Sequence, residues 1–361
     1  MHLLTNCCYP FARLSPVDGN NLGTADGRIA LDCSIRETRQ GGHFIISTTD
    51  FFFPLVDSPY LQGRIGAANV LSDLYAEGVK DCDFVLMLLA ASRDMTPEDR
   101  TICTNLMVRG FRDACTEAGT TVTGGQTVLN PWPIIGGVAT SVVSREEYVS
   151  SDGAQIGDVL VLTKPLGTQV AVNVHEWRKK YEKLGKDRFW DKILEHKEDG
   201  DALVSVSEAE TMMHEAVRSM SKLNRLAASI MTKHNAHAAT DVTGFGILGH
   251  TQNLMDNQIA ECGAELHTLP CIANTLKVND NILNFRLRNG YSAETSGGLL
   301  ISMTESDAIA YCAELKQLER EAYNYNSNGD ETDHGPWIIG RITSNAERKA
   351  IITEDAEYLE V

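Results

Sequence analysis

Residues 63–78 read GRIGAANVLSDLYAEG and set the carboxylate of Asp73 on an otherwise apolar helix. Ile65, Ala68, Leu71 and Tyr75 recur at helical spacing, and Gly78 is a natural C-terminal stop. Asn69 and Asp73 stand four residues apart, so both project from one face, beside the apolar stripe rather than opposite it. A carboxylate at the edge of a buried face must be hydrogen-bonded, paired or bound to a metal, because desolvating it alone costs several kcal/mol. Two readings stay open at this point, an Asp bonded to a neighbouring loop and an Asp that holds a cation.

Upstream of this helix the pattern is a hairpin. A strand-like run at 28–31 is followed by Asp32, Gly41-Gly42 make a turn, and 44–49 (FIISTT) is rich in β-branched and aromatic residues and ends at Asp50. Two strands thus deliver two acids. The FFFP run after Asp50 reads as core or interface packing, and residues 1–26 show no period and read as an arm or loop.

Downstream, residues 83–89 form a buried strand. Thr96-Pro97-Glu98-Asp99 is a strong helix start, with Thr96 as N-cap, Pro97 in the first turn and two acids behind it. Ile102, Leu106, Phe111 and Ala114 would be its buried face, and Gly119 ends it. A short strand, 120–123, leads into Gly124-Gly125-Gln126-Thr127, ahead of Asn130-Pro131-Trp132-Pro133. Paired glycines after a strand let backbone amides approach an anion, and Thr127 has a hydroxyl for a phosphate oxygen; a tight turn is the alternative. After a strand at 134–143, the polar run 150–157 (SSDGAQIG) precedes another at 159–163 and marks a domain boundary. The chain therefore divides into an α+β domain at 1–155 and a second at 156–361.

In the second half Lys164-Pro165-Leu166-Gly167-Thr168 opens a helix, and 176–201 is charged enough to be solvated surface. Ser207 and Glu210 form a capping box for a long helix that buries Met213, Val217, Met220 and Ala227, the methionines as core filler. A short strand at 236–240 ends in Asp241. Residues 244–249 match G-x-G-x-x-G, but the dinucleotide fingerprint also needs a βαβ unit with an acid about 20 residues on. Asp256 comes too early, inside the helix that these glycines open, where His250 reads as a packed or capping residue rather than a catalytic one. Glu294-Thr295-Ser296-Gly297-Gly298 precedes a strand at 299–302, 324–336 is a polar loop, and 337–342 and 349–353 close the sheet.

With 361 residues and 43% hydrophobic content, the chain can bury a sizeable core. A net charge of -17 argues against nucleic acid as a partner. An anionic nucleotide would have to be held through metal ions or glycine amides. Nine cysteines with no C-x-x-C spacing suit reduced thiols in the cytoplasm. No signal peptide and no window of 18 apolar residues appears, so neither export nor a membrane is expected.

Seven stretches in order, LDCSI around Asp32, STTDFFFPLVD, GRIGAANVLSDLYAEGV, VTGGQTVLNPWP, DVLVLTKPLGTQVAV, NAHAATDVTGFGILGH and ETSGGLL, resemble the selenophosphate synthetase (selenide, water dikinase) family in its eukaryotic form. The resemblance implies an α+β fold of two domains like aminoimidazole ribonucleotide synthetase (PurM-like), with mixed sheets covered by helices and a homodimer joined through a β-barrel. It makes Asp32, Asp73 and Asp241 magnesium ligands and Asp50 an ATP contact. Ala30, Leu31 and Asn69 would border the nucleotide, and Gly124, Gly125, Gln126 and Thr127 the phosphates. Hard oxygen ligands suit Mg²⁺, and a triphosphate cannot sit against acids unless a metal neutralises both. The reaction implied is ATP, selenide and water giving selenophosphate, AMP and orthophosphate.

One departure stands out. The family carries a glycine-rich arm with a Cys or selenocysteine closely followed by Lys, upstream of the first metal aspartate. Here Cys7-Cys8 has no such partner, and no Lys occurs before Lys80, so no catalytic nucleophile is assigned. The expectation is an N-terminally truncated enzyme that binds ATP without making selenophosphate. The rival readings are another ATP-dependent phosphotransferase of the same superfold and a catalytically silent nucleotide-binding relative.

Overall fold

The computed structural model describes residues 31–53, 55–198, 201–323 and 334–361. In its first half, β1 (Ser34–Glu37) and β2 (Phe44–Phe52) make an antiparallel hairpin with Ile35 opposite Ile46. Then come α1 (Pro59–Ala76), β3 (Phe84–Ser92), α2 (Pro97–Glu117), β4 (Val122–Asn130) and β5 (Ile134–Val143). The strand order is β1-β2-β5-β3-β4, antiparallel except for the pair β3 and β4, which α2 connects in parallel. Among the described residues this sheet is open, with β1 and β4 at its edges.

The second half comprises β6 (Val159–Leu162), α3 (Thr168–Leu184), α4 (Arg188–Glu195), a ribbon of β7 (Lys197–Glu198) and β8 (Asp201–Ala202), α5 (Val206–Ser221), α6 (Arg225–Ser229) and β9 (Ala238–Asp241). It continues through α7 (Gly246–Asp256), β10 (Cys262–Cys271), α8 (Thr275–Asn281), β11 (Leu299–Met303), α9 (Glu305–Tyr323), β12 (Trp337–Ser344) and β13 (Ala350–Glu360). Its sheet runs β13-β10-β12-β6-β11-β9, with β10 and β13 parallel and the other pairs antiparallel.

α1 is the axis of the molecule. Ser58 caps it and Pro59 opens it, while Gly78, at φ +72°, ends it as the sequence predicts. Gly63 and Gly110 let α1 and α2 touch backbone to backbone. A methyl group on Gly63 would lie 2.1 Å from the Met107 carbonyl oxygen, and one on Gly110 would lie 1.9 Å from that of Tyr60. Leu71, Leu74 and Tyr75 share one core with Ile135 of β5 and with Val161, Ile301, Met303 and Tyr311 of the second half. Each such side chain, fully buried, contributes about 1.5–3 kcal/mol. A helix enclosed on all sides need not be amphipathic, which is why its polar positions fall inside the protein.

Several expectations need correction. Residues 28–30 of the expected first strand lie outside the described residues, Leu31 and Asp32 lie in a bend, and the first described strand begins at Ser34. β4 continues through residues 124–127 to Asn130, which makes Gly124-Gly125-Gln126-Thr127 part of an exposed edge strand and not a loop. Ile102 is exposed, because the face of α2 that meets α1 carries Met107, Gly110, Phe111 and Ala114 instead. Within the charged stretch, Trp177, Trp190 and Ile193 are core residues, and the Trp177 and Phe189 rings stack at 4.5 Å. The capping box of α5 is Ser205 with Glu208, one S-x-x-E pair earlier than expected, and Ala227 belongs to the separate α6. β10, α4, α8 and α9 lie where no element was expected. Residues 1–26 with Cys7 and Cys8, Ala30, and residues 324–333 of the polar loop lie outside the described residues.

Candidate functional site

Four acids converge where α1 passes between the two sheets. Asp32 comes from the bend before β1, Asp50 from β2, Asp73 from α1 and Asp241 from the end of β9. The charges of Asp241, Asp32 and Asp50 all bear on Asp73. Each acid is met by neutral donors. Thr48 donates its hydroxyl to Asp73 and Asn69 its amide to Asp50. Thr240 and the Asp241 backbone lower the Asp32 carboxyl, and Ser72 lowers that of Asp241, each against the larger effect of burial. Among the described residues, no Lys or Arg forms an ion pair with any of the four.

The electrostatic result is a cluster that resists its own charge. Burial, and then repulsion from Asp241 and Asp32, raises the Asp73 carboxyl well above its ordinary range. Burial and the Asp241 charge do the same to Asp32. Asp241 is pushed up to about 6, chiefly by burial, with Ser72 and Lys164 pulling the other way. Asp32 Oδ2 and Asp241 Oδ2 are buried without a hydrogen-bond partner. An orphaned buried oxygen of this kind costs about 1–3 kcal/mol. Hard, unsatisfied carboxylate oxygens fit a hard dication such as Mg²⁺, which takes one or two protein carboxylates and fills its shell with water and phosphate oxygens.

A supporting layer, unforeseen from the sequence, fixes these acids. Asn69 Oδ1 accepts from the Ser296 amide at 3.0 Å. Asn224 Nδ2 donates to Ser72 Oγ at 3.0 Å and to the Gly297 carbonyl at 2.8 Å. Glu294 accepts from the Gly167 and Thr168 amides at the start of α3, at 2.7 and 2.9 Å, while burial pushes its carboxyl up to about 7. For Thr48 the signal was present, since strand alternation puts it on the same face of β2 as Asp50. Cys33, next to Asp32, is buried among these acids and its thiol is pushed well up, so it is no nucleophile.

Not every candidate reaches the cluster. The sheet register lines up Gly125, Met87, Gly137 and Asp50, so the Gly-Gly-Gln-Thr run lies three strands from Asp50, roughly 14 Å. Leu31 packs against the core of the second half. His250 is buried, accepts from Phe245 N at 3.4 Å and pairs with Thr243 Oγ1 at 3.2 Å. Burial lowers it to about 4, as befits a packed histidine.

A second group of ligand-type side chains lies at Asp57, His175 and Glu176. Among the described residues it is the group of three whose ligand atoms all fall within 4.8 Å of one another. Asp57 Oδ2 lies 3.1 Å from His175 Nε2, and the Lys179 ammonium donates to Asp57 and, at 3.4 Å, to Glu176. Its negative charge is already met.

Comparison with known proteins places the whole chain. The family described as AIR synthase related protein, N-terminal domain, matches residues 31–143, and the corresponding C-terminal domain matches 155–324. A selenide, water dikinase of Dictyostelium discoideum is 48% identical over 363 residues, covering 98% of this chain and 91% of that protein. Selenide, water dikinase 2 of Homo sapiens is 48% identical over 92% of this chain and 69% of its own length. Among solved structures, AaThiL complexed with AMPPCP and TMP has a TM-score of 0.59 at 17% identity, covering 90% of this chain and 88% of that one. Hydrogenase maturation protein HypE in complex with ATP has a TM-score of 0.58 at 15% identity, covering 85% and 81%. These two share the fold.

Proposed function

The chain belongs to the selenide, water dikinase family of the AIR synthase related proteins, and on that premise we propose that its site serves the reaction of ATP, selenide and water to selenophosphate, AMP and orthophosphate, for which this sequence offers no Cys-Lys pair upstream of Asp32 to handle selenide. The observation that carries the reading to this site is the pair of orphaned, buried oxygens on Asp32 and Asp241, within a four-acid cluster that no Lys or Arg pairs with among the described residues. A site built only to stabilise the fold would have paired them.

In this reading Asp32, Asp73 and Asp241 hold Mg²⁺, and Asp50 with Asn69 borders the nucleotide. Mg²⁺, when bound, screens the triphosphate from the carboxylates and stabilises charge on the transferring phosphoryl group. The chain's own side chains hold and orient. Thr48 gives one hydrogen bond to Asp73, leaving its second oxygen for the ion, and Ser72 favours the charged form of Asp241. Asn69, locked by Ser296, turns its amide on Asp50. The Gly124–Thr127 run is kept as a phosphate-facing element whose amides lie on an exposed edge.

Three further proposals accompany this one. The first is a division at 155/156, supported by two main sheets that use strands wholly before or wholly after that point. The second is a homodimer sharing a β-barrel, supported by exposed Ile45 and Phe51 on β2, Phe53 just beyond it and Val142 on its partner β5. The third is a cytoplasmic location, supported by described cysteines that are all free. No helix among the described residues is long and apolar enough to cross a membrane. The reaction is tested by supplying Mg·ATP with and without selenide. With the family's Cys-Lys arm joined to the chain, AMP and orthophosphate should form only when selenide is present, and this sequence alone should bind ATP without that turnover; ADP as the final product, formed irrespective of selenide, would overturn the assignment.

A further inference from the structure

Lys164 is a fully buried lysine, 1% exposed, in the loop between β6 and α3. Among the described residues no carboxylate forms an ion pair with it, although Glu319 and Asp241 lie near enough to favour its charge. Its Nζ donates to two backbone carbonyls, that of Lys222 at 2.7 Å and that of Ser296 at 2.8 Å. The neighbouring carboxylate, Glu319, is taken by Lys222 Nζ at 2.9 and 3.1 Å. A lysine spent on two carbonyls in a protein interior is costly to bury, and those carbonyls must matter for the cost to persist.

The Ser296 carbonyl belongs to a turn that touches the acid cluster twice. Ser296 adopts the left-handed conformation, φ +48°, which a serine holds only when its surroundings impose it. Its amide donates to Asn69 Oδ1 at 3.0 Å, and Asn69 in turn donates to Asp50. The next carbonyl, of Gly297, accepts from Asn224 at 2.8 Å; Asn224 also donates to Ser72, which favours the charged form of Asp241. The turn is pressed against its neighbours, since a methyl group on Gly298 would lie 2.4 Å from Lys164 N and one on Gly297 would lie 2.1 Å from the Val242 carbonyl oxygen. One buried amine therefore stands behind the turn that sets both Asn69 and Ser72.

We infer that Lys164 is a positioning residue for the metal and nucleotide site: it pins the Ser296-Gly297 turn against α1, so that Asn69 faces Asp50 and Ser72 faces Asp241. The role rests on the reading of those acids as the holders of Mg·ATP. It does not depend on the protonation state of Lys164, because the neutral amine and the ammonium both carry the two N–H groups that the carbonyls use.

The test separates positioning from stability. ATP affinity with Mg²⁺ is measured by calorimetry for the wild type, for Lys164→Met and for Met212→Ala, which opens a cavity in the second-half core and lowers the melting temperature without touching the turn. Lys164→Met should weaken Mg·ATP binding by about 10- to 100-fold, the usual effect of removing a group that orients metal ligands, at a temperature where it is fully folded. Met212→Ala should stay within about two-fold. Wild-type affinity in Lys164→Met, or an equal loss in Met212→Ala, would overturn the inference. If Lys164→Met does not fold, Lys164→Gln, which is shorter by one atom, takes its place with the same expected loss. A wild-type chain that binds ATP equally well in EDTA would instead overturn the metal reading itself.

Discussion

Two groups of acids lie at the two ends of one problem. At Asp57, His175 and Glu176 the carboxylates are partly or well exposed and Lys179 lies between them, so the protein's own cation offsets part of their charge. At Asp32, Asp50, Asp73 and Asp241 the carboxyls sit beside an enclosed helix, and their partners are hydroxyls, amides and each other. The first group has the tighter geometry and the second the stronger need. Ligand spacing alone would select the first. What distinguishes them is whether a cationic side chain pairs with the acids, and among the described residues none forms an ion pair with those at the α1 site.

The contrast is broken most directly at Asp73. Asp73→Ala should lower Mg·ATP affinity by more than about 100-fold, beyond the loss caused by a supporting residue, as read by calorimetry. Metal-free thermal stability should hold or rise, because the substitution relieves repulsion from Asp32 and Asp241. A large loss of metal-free stability would make Asp73 a structural residue like any other.

Asp241 sharpens the same contrast through pH. Its folded value of about 6 stands above the ordinary 3.8. The stability that it contributes is therefore complete below about 4 and is lost as pH rises through about 6. Asp241→Asn should melt higher than wild type at pH 7.5 in EDTA, by up to about 3 kcal/mol in stability. The gap should close toward pH 4, and a gap that does not change with pH would remove the electrostatic account. The smallest effect is expected at Asp57. Asp57→Ala breaks exposed ion pairs worth less than about 1 kcal/mol and should leave ATP affinity unchanged in the same calorimetric titration.

Much of this was legible in residue order, for reasons that differ by element. The α2 start was readable because Thr96 caps the Asp99 amide at 3.1 Å within a single turn, a purely local event. Asp73 was readable because its neighbours at helical spacing are apolar, which makes an acid there anomalous. The capping box was ambiguous because Ser205 and Ser207 each stand three residues before a Glu, and only tertiary packing chooses between them. Gly124 to Thr127 misled because glycines punctuate turns, whereas here Gly125, at φ +143°, lets β4 approach Met87. Trp177 and Trp190 were hidden by the charges around them. The turn at 296–297 was unreadable for a deeper reason: its partners Asn69 and Asn224 are 227 and 73 residues away.

The central claim is that the α1 acids are neutralised by a metal that the nucleotide brings or shares. Titrating ATP into the protein with Mg²⁺ and again in EDTA tests it without any demand on turnover. Binding that is strong with Mg²⁺ and undetectable in EDTA is the predicted result; equal affinity in the two titrations would contradict it.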